Sequence, residues 1–248
     1  MHKTEKSGVA RALSKMGYCS RSGAAALVRA GRVTLNGCLV RDPETPVRIA
    51  QDHIGVDGSG VEERPKIYLM MNKPRAVVTT ASDENGRATV YDLLDPGKNR
   101  EWISPVGRLD KASEGLLLLT NDSKWAAKIT DPASHLDKRY HVQVDRVAGA
   151  DLLARLKRGV SVGGDLLQVK EAQVLRVGSK NSWLEITLDE GKNRQIRRVL
   201  GALGAQVLRL VRVSIGLLEL GDLKKGAVRP LTKREKKLMD QALDGERG

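Results

Sequence analysis

An apolar run fronted by a charged loop, residues 106–121 (VGRLDKASEGLLLLTN), constrains this chain more than any other stretch. Residues 115–120 (GLLLLT) are short, free of charge and closed by Asn121, Asp122 and Ser123, the pattern of a buried strand that ends in a turn. Immediately before that strand come Gly107, Arg108, Asp110, Lys111, Ser113 and Glu114, a dense set of polar groups against a core element. An acid in such a loop is held by a rigid scaffold and remains reachable by a ligand, which suits a nucleophile or a base. Taken alone, an aspartate in a loop more often does no more than cap a turn.

The rest of the chain divides around this stretch. Residues 9–16 (VARALSKM) place Val9, Leu13 and Met16 on one helical face, with Gly17 where a C-terminal cap belongs. Ser20 is placed to cap a second helix running to about Ala30, ended by Gly31. RVTL, Asn36-Gly37 and CLV then read as two short strands around a type I′ hairpin turn. These elements define a small module over residues 1–56. Residues 57–65, rich in Gly, Ser, Glu and Pro, read as a linker. A larger domain is expected over residues 66–231, followed by a charged tail, 232–248, carrying a frayed helix.

Within the larger domain, residues 67–71 form an apolar strand that Asn72-Lys73-Pro74 breaks. Residues 88–94 predict a short helix, Asp95-Pro96-Gly97 a turn, and 123–130 a helix ended before Pro132. KRYHVQV (138–144) and WLEITL (183–188) alternate strictly and predict half-buried strands. Residues 151–159 read as a helix, 160–177 as two short strands, and 191–205 as a glycine-bearing turn followed by an amphipathic helix with Ile196, Val199, Leu200 and Leu203 on one face. More strand-like sequence follows over 206–218 and 226–231. Strands outnumber helices and their spacing does not suit βαβ units, so the fold class is α+β.

Charge narrows the partners. Lys and Arg number 43 against 30 Asp and Glu, a net charge of +13, which favours a polyanion. No apolar run approaches the ~20 residues a membrane span needs, and the first residues lack the apolar centre of a secretory signal. The two cysteines, Cys19 and Cys38, imply no disulfide framework. A cytoplasmic location with no membrane partner is the simplest expectation. Neither the four histidines nor the cysteines show metal-ligand spacing, and no phosphate-loop or dinucleotide fingerprint occurs, so no cofactor and no metal are expected. No sustained heptad or exposed apolar stripe is evident, so a monomer is expected.

GRLDKASEGLLLLTND resembles the catalytic-loop motif of pseudouridine synthases, specifically the RsuA-like family acting on ribosomal RNA. The resemblance spans roughly residues 8–231. It implies a catalytic domain with a mostly antiparallel mixed sheet flanked by helices, and ribosomal RNA or a pre-ribosomal particle as partner. The first motif of that family, NKP followed by any residue and glycine, is matched at Asn72-Lys73-Pro74, with Ala76 in the glycine's place and a slightly different loop conformation expected there. By resemblance Asp110 is the nucleophile, the tyrosine of KRYHVQV (Tyr140) stacks on the target base, and the arginine of GKNRQIRR (Arg197) pairs with the catalytic carboxylate. Leu210, in VLRLVR, lies beneath the base. Whether the acid attacks the sugar directly or assists a glycal route is open.

The N-terminal module resembles the alpha-L RNA-binding domain of ribosomal proteins, with SRSGAAALVRAGRVTLNG as its most telling segment and Ser22 and Gly23 as departures from the usual pattern. RNA contacts are implied for Arg11, Lys15, Arg21, Arg29, Arg32 and Arg41 there. Arg108, Lys192, Arg194 and Arg198 are candidates for phosphate contacts near the site. A non-catalytic RNA-binding or ribosome-assembly factor is the alternative that the basic module alone would support. A basic DNA-binding protein is less well served, since no recognition-helix dimer pattern occurs.

Overall fold

The computed structural model describes residues 6–80, 83, 85–94 and 102–245; the turn expected at Asp95-Pro96-Gly97 lies outside them. Two compact units emerge, one drawn from Met1–Tyr68, Asp95–Pro105 and Leu119–Ala127, the other from Leu69–Leu94, Val106–Leu118 and Lys128–Gly248.

The first unit opens with β1 (Ser7–Gly8), α1 (Val9–Lys15) and α2 (Arg21–Arg29). Ser20 Oγ accepts from the backbone N–H of Gly23 at 2.9 Å, so it caps α2 as its residue type predicts. Strands β2 (Val33–Leu35) and β3 (Cys38–Val40) pair around Asn36 and Gly37, which both adopt the positive φ that a type I′ turn requires. β4 (Pro46–Val47) pairs with β1, and β5 (Ile54–Val56) and β6 (Ser59–Gly60) complete a four-stranded sheet in the order β3-β2-β5-β6. Of the stretch expected as a linker, 57–65, residues 57–60 belong to this sheet, while 61–65 lie in no helix or strand. Asp57 and Gly58, also at positive φ, turn a second hairpin whose signal was the Asp-Gly pair itself. Val9, Leu13, Ala24, Val28, Val33, Ile54 and Val56 form the core of this part.

The large sheet contains β7 (Tyr68–Lys73), β8 (Ser104–Val106), β9 (Glu114–Thr120), β10 (Lys138–Val144), β13 (Glu171–Val177), β14 (Ser182–Leu188), β15 (Val207–Ile215), β16 (Leu218–Glu219) and β17 (Val228–Pro230). Between these lie α3 (Ser123–Thr130), α4 (Ala150–Arg158), the hairpin of β11 (Val160–Val162) and β12 (Asp165–Leu167), and α5 (Gln195–Ala202). The strand order is β13-β14-β10-β15-β9-β7-β17, with β16 on β15 and β8 on β9. The β13–β14, β14–β10, β10–β15, β15–β16 and β7–β17 ladders are antiparallel, whereas β9 runs parallel to β15. The fold is α+β with a mixed sheet. Three strands rather than two occupy residues 160–177, and residues 88–94 form only a 3-10 turn, Val90–Leu93, capped by Thr89 and Asp92.

All seven residues of β9 are buried, as its sequence requires. Alternation on β10 puts Tyr140, Val142 and Val144 inward, where they meet Leu184 and Ile186 of β14, Leu152 and Leu156 of α4, and Val199 and Leu200 of α5. Gly115 permits the parallel contact of β9 with β15. Its φ is +101°, and a Cβ there would stand 2.2 Å from the Arg212 carbonyl oxygen, a distance no side chain can occupy. The tail helix α6 (Lys233–Gly245) is formed and docked rather than frayed. Thr232 and Glu235 exchange capping hydrogen bonds, and Met239 and Leu243 are buried.

Candidate active site

Sheet order explains why distant sequence motifs meet. β10, β15 and β9 are consecutive neighbours, so the loop entering β9 lies beside Tyr140 of β10 and Leu210 of β15. These residues line one cavity of about 450 Å³ with Asp110, Arg108, Lys192, Arg194 and Arg212. That volume is within the range of pockets that enclose small organic ligands. Asp110 is partly exposed, its side chain 34% accessible, whereas Tyr140 and Leu210 are buried.

The backbone that presents Asp110 is held at every carbonyl. Thr79 Oγ1 donates to Leu109 O (2.8 Å), Lys73 Nζ to Asp110 O (3.2 Å) and Ala76 N to Lys111 O (2.8 Å). Arg197 Nη2 donates to Ala112 O (3.0 Å), and Lys73 Nζ reaches Ser113 O as well (3.0 Å). Within the loop, Ser113 N closes onto Asp110 O at 2.9 Å. Five consecutive acceptors with partners leave the loop one conformation, which is how a catalytic group is kept at a fixed angle.

In the sequence Lys73 reads as part of the Asn72-Lys73-Pro74 motif that breaks the strand, with no role of its own. The signal was present: Leu69, Met71 and Lys73 alternate, so the lysine shares the inward face of β7. It is fully buried, and burial pushes its ammonium down to about 8, against the opposing pull of Asp110 and Glu114. Ala76, where the family motif has glycine, stands at φ +73° in the left-handed region, a conformation that strains a residue with a Cβ.

Glu114 anchors the loop's exit. It is buried and takes Arg209 in a two-pronged pair (2.9 and 3.2 Å) and Lys225 at 2.6 Å. Burial alone would raise its carboxyl, but these cations outweigh that and hold it below the usual range. Arg209 also lies over the Trp183 ring, 5.8 Å from its centroid.

The expected Asp110–Arg197 ion pair is not formed among the described residues. The guanidinium nearest in contact with Asp110 is that of Arg194, Nη1 to Oδ2 3.7 Å. Arg197 instead gives Nη1 to Val207 O (3.1 Å) and Nη2 to Ala112 O, acting on the loop backbone. Burial lowers its pKa, Arg194 and Arg75 lower it further, and the Asp110 charge opposes them. Arg194 adopts a left-handed conformation (φ +49°) at the start of α5, which turns it toward the cavity while Arg197 comes one helical turn later.

The basic candidates sort by what they touch. Arg108, Lys192 and Arg194 are exposed at the cavity. Arg198 does not belong with them: its Nη2 joins Val162 O (2.8 Å) and Asp165 (2.9 Å), tying α5 to the β11–β12 hairpin. In the first unit Arg11, Arg29 and Arg41 are exposed and Lys15 is half-buried. Arg21 faces Glu44 at 3.4 Å, and Arg32 is held by Asp57 in a two-pronged pair. Among the described residues no group of three or more His, Cys, Asp or Glu could hold a metal ion, and no helix is long and apolar enough to cross a membrane.

Comparison with known proteins agrees with this geometry. Residues 67–202 match the RNA pseudouridylate synthase family and residues 9–54 the S4 domain. The chain is 35% identical over 236 residues to the ribosomal large subunit pseudouridine synthase B of Bacillus subtilis, covering 94% of this chain and 96% of that one. It is 37% identical over 224 residues to an uncharacterized RNA pseudouridine synthase of Aquifex aeolicus, covering 90% and 89% respectively. A crystal structure of a pseudouridylate synthase superposes with a TM-score of 0.65 at 28% identity, covering 94% of this chain and 99% of that one. With its catalytic-loop motif, its sheet and its N-terminal S4 domain, the chain belongs to the RNA pseudouridylate synthase family.

Proposed function

We propose that this protein isomerises a specific uridine of ribosomal RNA to pseudouridine, with Asp110 as nucleophile. The observation that carries the reading is the clamped loop: a carboxylate with a fixed backbone opens into a cavity walled by a buried tyrosine and a buried leucine. In the proposed reaction the Asp110 carboxylate attacks ribose C1′ as the C1′–N1 bond breaks, and uracil departs with the bonding electrons. The base turns between Tyr140 and Leu210 until C5 faces the sugar. C5 then displaces the carboxylate from C1′, the C5 proton is lost and N1 takes one up, so the product has the formula of the substrate. Arg197 positions the loop through Ala112, and Arg194 supplies the charge facing the carboxylate.

Extruding a nucleotide from its stack costs a few kcal/mol. Phosphate contacts from Arg108, Lys192 and Arg194, with Arg11, Lys15, Arg29 and Arg41 of the first unit, would offset that cost. The relatives named for the large ribosomal subunit make its RNA the first place to look. Pseudouridine is mapped in ribosomal RNA from cells lacking the protein, and again after return of the wild-type or the Asp110→Asn protein. One position is expected to lose its modification and regain it only with wild type. Restoration by Asp110→Asn would remove the nucleophile; an unchanged map, with a ribosome-assembly defect that Asp110→Asn repairs, would favour the RNA-binding factor instead.

A further inference from the structure

Arg212 is a cation buried deep in the cavity with donors to spare. It is 6% exposed and lines the cavity with Asp110, Tyr140 and Leu210. Its Nε donates to Leu116 O at 2.7 Å, which fixes the side chain, but Nη2 is sealed from solvent with no partner among the described residues. A guanidinium carries its charge on a planar fork of donors and has no acceptor of its own. Burying that charge short of acceptors is costly, and because Nη2 has no accessible surface, an acceptor in the cavity meets it only as the side chain shifts.

Its position tells which acceptor. Across the β10–β15 ladder Arg212 stands directly opposite Tyr140, and Leu210 follows two residues along, opposite Val142. Directly opposed and alternate residues share a sheet face, so Arg212, Tyr140 and Leu210 project to the same side. The exposed cations Arg108, Lys192 and Arg194 suit phosphates of the RNA backbone, which stay outermost. The base goes deepest. Uracil offers two keto oxygens, O2 and O4, as acceptors, and a guanidinium only donates.

Resting on the reading that the cavity takes an extruded uridine, we infer that Arg212 contacts the uracil: it donates to one keto oxygen and stabilises the charge that reaches it. When C1′–N1 breaks, the electron pair left on uracil spreads from N1 onto O2 and O4. The hydrogen bond from Arg212 is then stronger in the transition state than in the bound substrate, so it acts on rate more than on binding. Arg212 would thus be a catalytic residue that also selects for the keto form of a pyrimidine.

The test pairs a protein change with a change of one substrate atom. Ribosomal RNA transcripts made with uridine, 2-thiouridine or 4-thiouridine replace a strong acceptor by sulfur at one ring position. Single-turnover formation of the isomerised nucleoside is followed by mass spectrometry with the full-length wild type, Arg212→Met and Arg212→Lys. On the uridine transcript Arg212→Met is expected to be about a hundredfold slower. Wild type should slow on the transcript whose contacted oxygen is sulfur, and Arg212→Met should show a thio penalty at least about tenfold smaller. Effects of sulfur on RNA folding are common to all three proteins and cancel in that ratio. Should Arg212→Met fail to fold, Arg212→Lys, which keeps the charge but loses the planar fork that holds Leu116 O and presents a second nitrogen, is expected to shrink the same penalty. Equal thio penalties in wild type and variants at both ring positions would overturn the role of Arg212 and leave the parent reading standing. A wild type that forms no pseudouridine on the uridine transcript would overturn both.

Discussion

Replacing Lys73 with Met keeps the length and apolar stem of the side chain and removes its nitrogen from three carbonyls, those of Pro74, Asp110 and Ser113. Two effects oppose each other. Buried carbonyls left without donors cost about 1–3 kcal/mol each. Asp110 O keeps Ser113 N, so the loss falls on two acceptors, or about 2–6 kcal/mol. Against this, the variant no longer buries an ammonium. The lysine is lowered from 10.5 to about 8, a disadvantage of about 3 kcal/mol for the charged form. At pH 7 the net cost of Lys73→Met is therefore no more than about 3 kcal/mol. The pH dependence separates the two terms. Because the folded value is below the unfolded one, the unfolded chain binds more protons between pH 8 and 10.5, and wild type gains stability there as pH rises. The variant does not, and all other titrating groups are shared. The stability gap should widen by about 1.4 kcal/mol per pH unit above pH 8. Urea unfolding of both proteins at pH 7, 8, 9 and 10 measures it. A gap that stays flat or narrows would show that the three carbonyls outweigh burial and refute the reasoning. Turnover should fall more than binding, by about a hundredfold, because the loop beneath Asp110 loses its anchor.

Ala76→Gly should raise stability by up to about 1 kcal/mol, since left-handed strain of about 1–2 kcal/mol is relieved and part is returned as unfolded-chain entropy; the urea midpoint should rise with an unchanged slope. Glu114→Gln should cost about 2–4 kcal/mol at pH 7 by leaving Arg209 and Lys225 against a neutral amide. Glu114 is held below its ordinary range, so its contribution is present above the unfolded value of about 4.3 and lost as pH falls through the folded one. Acid titration of stability should therefore bring wild type and Glu114→Gln together at low pH, and a constant offset would contradict the pairing.

Local chemistry was legible wherever one residue type determines one conformation. Ser20 as a cap, Asn36-Gly37 as a turn and the apolar run of β9 needed no tertiary information. Asp57-Gly58 carried the same hairpin signal, but the Gly, Ser and Pro around it outweighed it in a reading by composition. Thr232 and Glu235 likewise spelled a capping box inside a stretch dominated by charge. At the site, Asp110, Tyr140 and Leu210 converge as the motifs implied, because strand order β10-β15-β9 brings their elements together. The exchange between Arg194 and Arg197 was not legible. Which arginine meets a carboxylate depends on the backbone of Arg194, whose positive φ nothing in GKNRQIRR announces. The burial of Lys73 was not legible for a different reason: Asn72-Lys73-Pro74 reads as the end of the strand, and lysine is so rarely buried that its type does not announce an inward place.

The division of labour between these cations follows from their surroundings. Arg194 and Asp110 stand 3.7 Å apart with side chains 50% and 34% exposed. An exposed pair of this kind is worth about 0–1 kcal/mol, because water screens the attraction and two side chains must be ordered. The same separation at an effective dielectric near 20 corresponds to about 4 kcal/mol. On the proposed function, RNA covering the cavity would move the pair from the first condition toward the second, so its strength would arise when substrate is bound. The grip of Lys73, Arg197 and Thr79 on the loop carbonyls is made by the protein's own groups. On that reading geometry at Asp110 is set by folding, and its charge environment by the RNA. Raising salt should accordingly weaken RNA association steeply through the exposed cations, while single-turnover rates at saturating RNA change little. A single-turnover rate that fell with salt as fast as affinity would mean that Asp110 is oriented by its exposed ion pair and not by its backbone.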